Sequence, residues 1–229
     1  MLIPKSVMYE RLARRAIEAF GKRNINARFV RDRTEALSAI LAMIPEKASI
    51  GIGDSITMEQ IGIRAKLEER GGHEIINPFI FMPDGRFVDP PEVRVQKMRQ
   101  SLLGDFFLTG SNAITLDGKI VNIDARGNRV ASIIFGPQKV ILAVGANKIT
   151  PDVDQAIQRV KNVAAPWNSA RHFMENRAEK ELPCAQAGIC VNCSSPHRIC
   201  CFISIIEWQR GTYEKDRINL FIVGEELGL

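Results

Sequence analysis

Residues 50–62, IGIGDSITMEQIG, join a short apolar run to a glycine turn and the start of a helix. Residues 48–52 predict a buried strand, and a helix is expected over residues 57–70, where Thr57 and Gln60 have the spacing of a capping box. A buried strand that leads through a tight turn into a helix is the repeating unit of α/β proteins. This stretch therefore predicts a parallel sheet covered by helices.

The alternation of helices and strands continues on both sides of this stretch. Helices are predicted over residues 5–20, 34–44, 91–103 and 152–163, with Thr34 and Asp152 as N-caps, and a helix or turn over residues 128–135. Strands are predicted over residues 27–30, 74–77, 105–108, 139–144, 201–206 and 218–223. Asp117-Gly118 between residues 114–115 and 119–123 is a strong signal for a hairpin. We expect an α/β fold with a mainly parallel sheet, formed by residues 1–229 as one domain.

Composition and charge exclude several classes of protein. Of the 229 residues, 45% are hydrophobic and 25% are charged, as in folded globular proteins. No run approaches the ~20 apolar residues that span a bilayer, and the first residues lack the apolar core of a secretory signal, so we expect a cytoplasmic protein. The net charge is +5, and residues 1–33 carry nine Lys/Arg and three Asp/Glu, which gives +6. We interpret them as a solvated helix face and expect no nucleic-acid partner, while a protein partner and a homo-oligomer stay open.

The glycine turn after the first buried strand is a candidate anion site. Glycine lets backbone N–H groups approach a ligand closely, and a helix N-terminus favours negative charge. The turn lacks the Gly-Lys-Ser/Thr of a Walker loop and is not a complete G-x-G-x-x-G. Two interpretations stay open: a site for phosphate or carboxylate, and a plain tight turn capped by Ser55 or Thr57. The candidate ligand-binding residues are Gly51, Gly53, Asp54, Ser55 and Thr57.

A second polar cluster follows the strand predicted over residues 105–108. Its first part, residues 109–112, lies just beyond the carboxyl end of that strand, where open α/β sheets bind ligands. Its second part, residues 122–126, lies on or after the hairpin and ends at Arg126. Asn, Asp and Gly are also ordinary turn residues, so turn chemistry is the alternative. The candidate ligand-binding residues here are Thr109, Gly110, Ser111, Asn112, Asn122 and Asp124.

Five cysteines lie within residues 183–201, and four of them have the spacing C-x5-C-x2-C-x6-C. A C-x2-C pair can reach one ion from a tight turn, and two flanking thiolates complete a tetrahedral set that suits Zn²⁺ or an iron–sulfur cluster. The alternatives are reduced core thiols and disulfides, and disulfides are disfavoured without a secretory signal. We predict metal ligands at Cys184, Cys190, Cys193 and Cys200, and a core position for Cys201.

No hydrolase or metalloprotease motif accompanies these clusters. The sequence contains no G-x-S-x-G and no H-E-x-x-H. His73 and His172 have no potential partner near them in the sequence, so we predict structural roles for both.

Four stretches together resemble the LUD-domain family, the lactate-utilisation family. They are IGIGDSIT at residues 50–57, TGSNAIT to NIDARGNRVA at 109–131, IIFGPQKVILAVGANKI at 133–149 and PC…GICVNCSSPHRIC at 183–200. The resemblance covers residues 5–229. It implies a fold like those of ribose-phosphate isomerases, glucosamine-phosphate deaminases and CoA transferases. It also implies an anion loop at Gly51, Gly53, Asp54 and Ser55, with residues 109–112 beside it.

The resemblance also implies a role in organic-acid metabolism, because some members serve the oxidation of L-lactate to pyruvate alongside iron–sulfur subunits. Lactate members carry an acidic residue where this chain has Asn112 and do not all share the cysteine tail, so the chain resembles the stand-alone, cysteine-bearing branch. We expect a component of lactate or organic-acid utilisation that binds a small anionic metabolite, holds an iron–sulfur cluster or zinc, and meets a protein partner in a redox complex. The alternatives are a non-redox enzyme or binding protein for a sugar phosphate, folate or CoA ester, with a structural cysteine site, and a non-catalytic assembly module.

Overall fold

The computed structural model describes residues 3–211 and 214–229. The helices are α1 (Lys5–Gly21), α2 (Arg33–Leu41), α3 (Ile56–Ile61), α4 (Ile63–Arg70), α5 (Pro91–Gln100), α6 (Asn128–Ile134), α7 (Val153–Arg159), α8 (Ala165–Met174) and α9 (Pro183–Ala187). The strands are β1 (Asn26–Val30), β2 (Ser49–Ile52), β3 (Glu74–Ile76), β4 (Phe106–Gly110), β5 (Ala113–Thr115), β6 (Ile120–Asp124), β7 (Lys139–Gly145), β8 (Ile149–Thr150), β9 (Phe202–Ile206) and β10 (Ile218–Val223). No helix within the described residues is long and apolar enough to cross a membrane.

Six strands form a parallel sheet in the order β1-β10-β7-β4-β2-β3. Its central strands are mostly apolar on both faces because both faces of the sheet are covered. In β7, Val140, Leu142 and Val144 pack into one hydrophobic core, whereas Ile141 and Ala143 pack into the other. The predicted α/β class with a mainly parallel sheet is confirmed.

Different elements cover the two faces of this sheet. Helices α2, α3 and α4 cover one face, where Ile40, Met58 and Leu67 are buried. Helix α1 covers the other face through Ala16 and Phe20, together with a smaller sheet of strand order β8-β5-β6-β9. The smaller sheet thus forms an additional layer beside α1.

The smaller sheet contains the predicted hairpin. Strands β5 and β6 are antiparallel, with Ala113 opposite Val121. The turn between them passes through Gly118 at φ 85°, a left-handed conformation that glycine adopts without strain. On the outer face of this sheet, Val121 packs against Ala156 of α7 and Val160. The hairpin prediction is confirmed.

Two local predictions about helix starts and lengths were wrong, and the structure decides between the two residues that were predicted to cap the glycine turn. Asp32, rather than Thr34, is the N-cap of α2, because its side chain accepts hydrogen bonds from the backbone of Thr34 at 3.0 Å and Glu35 at 2.9 Å. The predicted helix over residues 57–70 is broken at Gly62, whose φ of 79° ends α3 before α4 begins. Ser55, rather than Thr57, is the N-cap of α3.

The order of the strands positions the candidate site. After β2 the chain continues to β3 on one side, whereas after β4 it continues through the hairpin to β7 on the other side. The connections that follow β2 and β4 therefore diverge, which leaves a crevice beyond the carboxyl ends of these two neighbouring strands.

Candidate anion-binding site

A cavity of about 760 Å³ lies beyond the carboxyl ends of β2 and β4. Asp54 and Ser55 line it directly after β2, and Gly110, Ser111 and Asn112 line it at the end of β4. Its volume lies within the range of about 300–1,000 Å³ that is usual for small-molecule sites. The two polar clusters predicted from the sequence therefore meet at one sheet edge.

Cationic side chains outnumber anionic ones in this cavity. Eight of the lining residues are Arg or Lys, and three are Asp or Glu. The cations are Arg94, Arg126, Arg129, Lys148, Arg171, Arg177, Lys180 and Arg198, and the acids are Asp54, Asp124 and Glu179. A cavity with walls of low dielectric and an excess of one sign of charge attracts ions of the opposite sign.

Arg94 and Arg126 both line the cavity, and neither forms an ion pair with a carboxylate in the described residues. Burial lowers the pKa of Arg94, and the charge of Arg126 lowers this pKa further. Within the described part of the chain, the Arg126 side chain makes no hydrogen bond or ion pair. Two neighbouring guanidinium groups repel each other unless an anion lies near both.

An aromatic wall adjoins these arginines. Phe79, Phe81 and Phe87 line the cavity from the loop between β3 and α5. The Arg94 guanidinium carbon lies 3.1 Å from the centroid of the Phe87 ring, and that of Arg177 lies 3.6 Å from the Phe81 centroid. These contacts orient the guanidinium groups through the negative faces of the rings.

Asp54 lies at the centre of a charged cluster. Its Oδ2 atom is 3.5 Å from both Arg171 Nη2 and His172 Nε2, and its Oδ1 atom is buried without a hydrogen-bond partner in the described residues. Burial by itself would raise the pKa of Asp54, but the contact with His172 and the charge of Arg171 lower it to about 2. Asp54 is therefore ionised at neutral pH, and one of its oxygen atoms remains available to a hydrogen-bond donor.

Lys148 forms part of the cavity floor. It is 5% exposed, and its Nζ atom donates to Thr57 Oγ1 at 3.2 Å and to the backbone oxygen of Ser111 at 3.3 Å. Burial, together with the charges of Arg159 and Arg129, lowers its pKa to about 7. Lys148 therefore holds a proton weakly at neutral pH.

Asn112 and Asp124 are largely engaged inside the protein. Asn112 Oδ1 accepts hydrogen bonds from Arg129 Nη2 at 2.8 Å and from the backbone of Ile123 at 3.0 Å. The Asp124 carboxylate accepts from the backbone of Gly127 and Val130 and so caps α6. Both residues line the cavity, where their role is to hold Arg129 and the adjoining loop in place.

Other residues predicted at the site lie behind the cavity wall. A Cβ atom on Gly51 would come within 2.8 Å of Ser101 Cβ, and one on Gly53 within 2.5 Å of Thr109 Oγ1. These two glycines allow close packing behind the wall and do not line the cavity. Thr109 and Asn122 are fully buried and also lie outside the lining.

The cysteine segment contributes one wall of the cavity through residues other than the four predicted ligands. Cys184 is buried, Cys190, Cys193 and Cys200 are half-buried, and no disulfide joins them. Burial raises the pKa of Cys184, and the neighbouring thiols raise it further. Within the described residues, no group of three His, Cys, Asp or Glu side chains is placed so that it could hold a metal ion. The metal site therefore stays a prediction.

The same segment also corrects one prediction. Cys201 was expected in the core but is exposed, and it lines the cavity. It precedes β9, an edge strand of the smaller sheet, which leaves one side of this part of the chain open to solvent.

Several residues of the cavity could not be inferred from the motifs. The predicted structural role of His172 is incomplete, because His172 lines the cavity and contacts Asp54. Lys148 could have been found, since it follows β7 and the sheet-edge rule that selected Asn112 applies equally to it. Arg94 and Arg171 lie on helices and carry no local signal for their position.

The fold and the cavity define a class of α/β protein with a cationic site at the carboxyl edge of a parallel sheet. A model of the LUD domain matches residues 13–223, and the chain belongs to this family. The crystal structure of a DUF162 family protein from Deinococcus radiodurans is similar over 97% of this chain and 99% of that chain, with a TM-score of 0.50 and 13% identity. At this identity the likeness shows the fold alone. No curated protein matches the chain.

Proposed function

We propose that this LUD-domain protein binds a small carboxylate- or phosphate-bearing metabolite in the cavity, as a component of lactate or other organic-acid utilisation. The observation that carries the proposal is the excess of cationic side chains in the cavity lining. Arginine recognises carboxylates and phosphates through two parallel hydrogen bonds, and Arg126 is free to do so within the described structure. Membership in the LUD domain family supports the metabolic context.

The glycine turn contributes less to this site than its sequence suggested. Helix α3 contains only six residues, and Ser55 already accepts a hydrogen bond from the backbone of Met58 at 3.3 Å. A helix this short presents a weak dipole, and the cap occupies one of its free N–H groups. The arginines, rather than the helix start, are therefore the main source of affinity for an anion.

The size of the cavity favours a second candidate function. A three-carbon acid would fill a small part of about 760 Å³, whereas a sugar phosphate, a folate or part of a CoA ester would fill much more of it. The aromatic wall formed by Phe79, Phe81 and Phe87 offers faces on which a planar ring can stack. A non-redox enzyme or binding protein for such a larger anion is the alternative.

The same proposal includes a second site, which lies in the cysteine segment. Cys184, Cys190, Cys193 and Cys200 would hold zinc or an iron–sulfur cluster, because thiolates are the ligands that both prefer. Their placement does not yet bring three of them together, so binding would require the segment to rearrange. An iron–sulfur cluster would supply electron transfer to a protein partner, and zinc would supply stability only.

Calorimetric titration of the full chain tests the anion proposal. The ligands are lactate, pyruvate, inorganic phosphate, ribose 5-phosphate and a short-chain CoA ester, measured with wild type and with Arg126→Gln. We expect at least one of them to bind, and Arg126→Gln to weaken it about tenfold, which corresponds to about 1.4 kcal/mol. The matched control is Arg11→Gln on the exposed face of α1.

The pattern of binding separates the two candidate functions. Binding of lactate or pyruvate favours organic-acid utilisation, whereas selective binding of ribose 5-phosphate or the CoA ester favours the larger ligand. If none of the five compounds binds, or if Arg126→Gln and Arg11→Gln bind equally well, the cationic cavity is not an anion site.

A further inference from the structure

Lys148 is the most deeply placed cation of the cavity. It ends the short 3-10 turn that follows β7 and is 5% exposed, yet it is part of the lining. Gly228 packs directly against it, since a Cβ atom there would come within 2.5 Å of the lysine Nζ. The side chain is thus held in one position at the floor of a site that opens towards a ligand.

When Lys148 is a neutral amine, its hydrogen bonds leave the lone pair of its nitrogen unused. In the described structure its partners are Thr57 Oγ1 and the backbone oxygen of Ser111, and no carboxylate forms an ion pair with it. An amine has two N–H groups and one lone pair, so these two partners satisfy its donors and leave the lone pair free. An ammonium ion would have a third N–H group without a partner.

The surroundings favour the neutral amine. Buried ammonium ions are unstable unless they are paired, and Arg159 and Arg129 add positive charge nearby. These effects lower the pKa of Lys148 to about 7, so that a substantial share of the molecules carry the amine at neutral pH. Desolvation and a neighbouring cation are the two features that activate lysine as a nucleophile.

We propose that Lys148 is a catalytic nucleophile that forms an imine with an aldehyde or ketone carrying a carboxylate or phosphate group. The inference rests on the proposed function, because the arginines of the cavity must hold the anionic group of this compound. Arg126 and Arg94 would bind the anion, and Lys148 at the floor would meet the carbonyl carbon.

The step requires no oxidant or reductant. The Nζ lone pair attacks the carbonyl carbon, and the carbonyl oxygen takes up a proton to give a carbinolamine. The nitrogen loses its two protons in turn, the first to the carbonyl oxygen as the carbinolamine forms and the second to the hydroxyl group, which leaves as water as the carbon–nitrogen double bond forms. Thr57 Oγ1, 3.2 Å from Nζ, is placed to accept and return a proton during this exchange. Protonation of the imine then draws electrons from a bond next to the former carbonyl carbon.

Reductive trapping tests this proposal on the full wild-type chain. The protein is incubated at neutral pH with pyruvate or dihydroxyacetone phosphate in the presence of sodium cyanoborohydride, and its intact mass and tryptic peptides are measured. We expect one reduced adduct per chain, located on Lys148. An adduct spread over exposed lysines such as Lys161, or no adduct, would overturn the proposal without requiring any variant to fold.

Two variants separate this proposal from the proposed function. Lys148→Arg retains a cation but cannot form an imine, and Lys148→Met removes the cation; Lys161→Met is the control outside the cavity. We expect trapping to disappear in both Lys148 variants and to persist in the control. If pyruvate or dihydroxyacetone phosphate binds by calorimetry but is not trapped, Lys148 is not a nucleophile, while the anion site stands. If neither compound binds nor is trapped, the Lys148 proposal fails, and the anion site is decided separately by the five ligands of the calorimetric titration.

Discussion

The cavity and the cysteine segment at residues 183–201 share a wall but are built in opposite ways. The cavity floor follows strand ends, and its polar residues are fixed by burial: Ser111 is 1% exposed and Lys148 is 5% exposed. The cysteine segment has one short helix, α9, and then no regular structure before β9, and its apolar residues Ile189 and Val191 are about half exposed. The backbone of the sheet organises the first region, whereas few buried contacts organise the second.

This difference shows that a local motif and a site assembled by topology leave different signals in the sequence. The cavity residues are far apart in sequence and are brought together by topology, so no single motif reveals the site. The cysteines form a compact motif, yet the fold itself does not gather their side chains around one point. We expect a metal ion to gather these thiolates, because metal binding can order a segment that its own contacts leave open.

The largest expected effect is the response of the cysteine segment to metal. Structural zinc binding is worth about 10 kcal/mol or more in small sites, so metal would convert this segment into an ordered element. We expect anaerobically purified protein to contain stoichiometric zinc or iron, and Cys193→Ala to lose it. Metal analysis and a visible spectrum measure this, since an iron–sulfur cluster absorbs visible light. Cys201→Ala is the matched control and should keep the metal. Wild-type protein that contains neither zinc nor iron would contradict the prediction.

A methyl group behind the cavity wall should have the next largest effect. Gly53→Ala places a Cβ atom 2.5 Å from Thr109 Oγ1 and 2.8 Å from Thr109 Cβ, so β2 and β4 must separate. We expect the free energy of unfolding to fall by about 3 kcal/mol, as is usual for overpacked cores. Urea unfolding measures it. The control is Gly21→Ala at the end of α1, where no atom lies within 4 Å and the change should be neutral or stabilising. Equal effects would contradict the packing role of Gly53.

The sequence predicted the fold well because periodicity is a local property. The apolar runs of β4, β7 and β10 identify buried strands without knowledge of their neighbours. Helix α8 was not predicted, because Pro166 resembles a helix breaker. The structure places Pro166 at the start of α8, directly after a π-helical turn over Val160–Ala164 that joins α7 to α8, so the chain continues as a helix through the proline.

The candidate site was predicted only in part, for a physical reason. Asp54, Ser111 and Asn112 could be found because residues after parallel strands must lie at one edge of the sheet. Arg171 and His172 lie on α8, and the position of α8 depends on tertiary packing that no local pattern records. The sequence therefore indicated where the site begins, whereas the helices and loops that pack around it supply most of its charge.

The ion cluster at Asp54 predicts a dependence of stability on pH. The pKa of Asp54 falls from 3.8 to about 2 on folding, so its contribution is present above about pH 4 and is lost as the pH falls through 2. The shift is worth about 2 kcal/mol. We expect Asp54→Asn to lower the free energy of unfolding by about this amount at pH 7 and to flatten its change between pH 4 and pH 2. Urea unfolding at each pH measures it, and Asp154→Asn on the exposed start of α7 is the control. If the free energies of unfolding of wild type and Asp54→Asn change equally between pH 4 and pH 2, the prediction is contradicted.

Ser55→Ala has the smallest expected effect, and it tests whether the Ser55 hydroxyl caps α3 or contacts the ligand. Its Oγ atom accepts from the backbone of Met58 at 3.3 Å, so Ser55→Ala should lower the free energy of unfolding by about 1 kcal/mol. Asp32→Ala removes the N-cap of α2, away from the cavity, and is the matched control. We expect both variants to lose stability in urea unfolding and to bind anions as tightly as wild type. If Ser55→Ala alone weakens anion binding in calorimetry, the hydroxyl leaves its cap to contact the ligand, and the glycine turn belongs to the binding site after all.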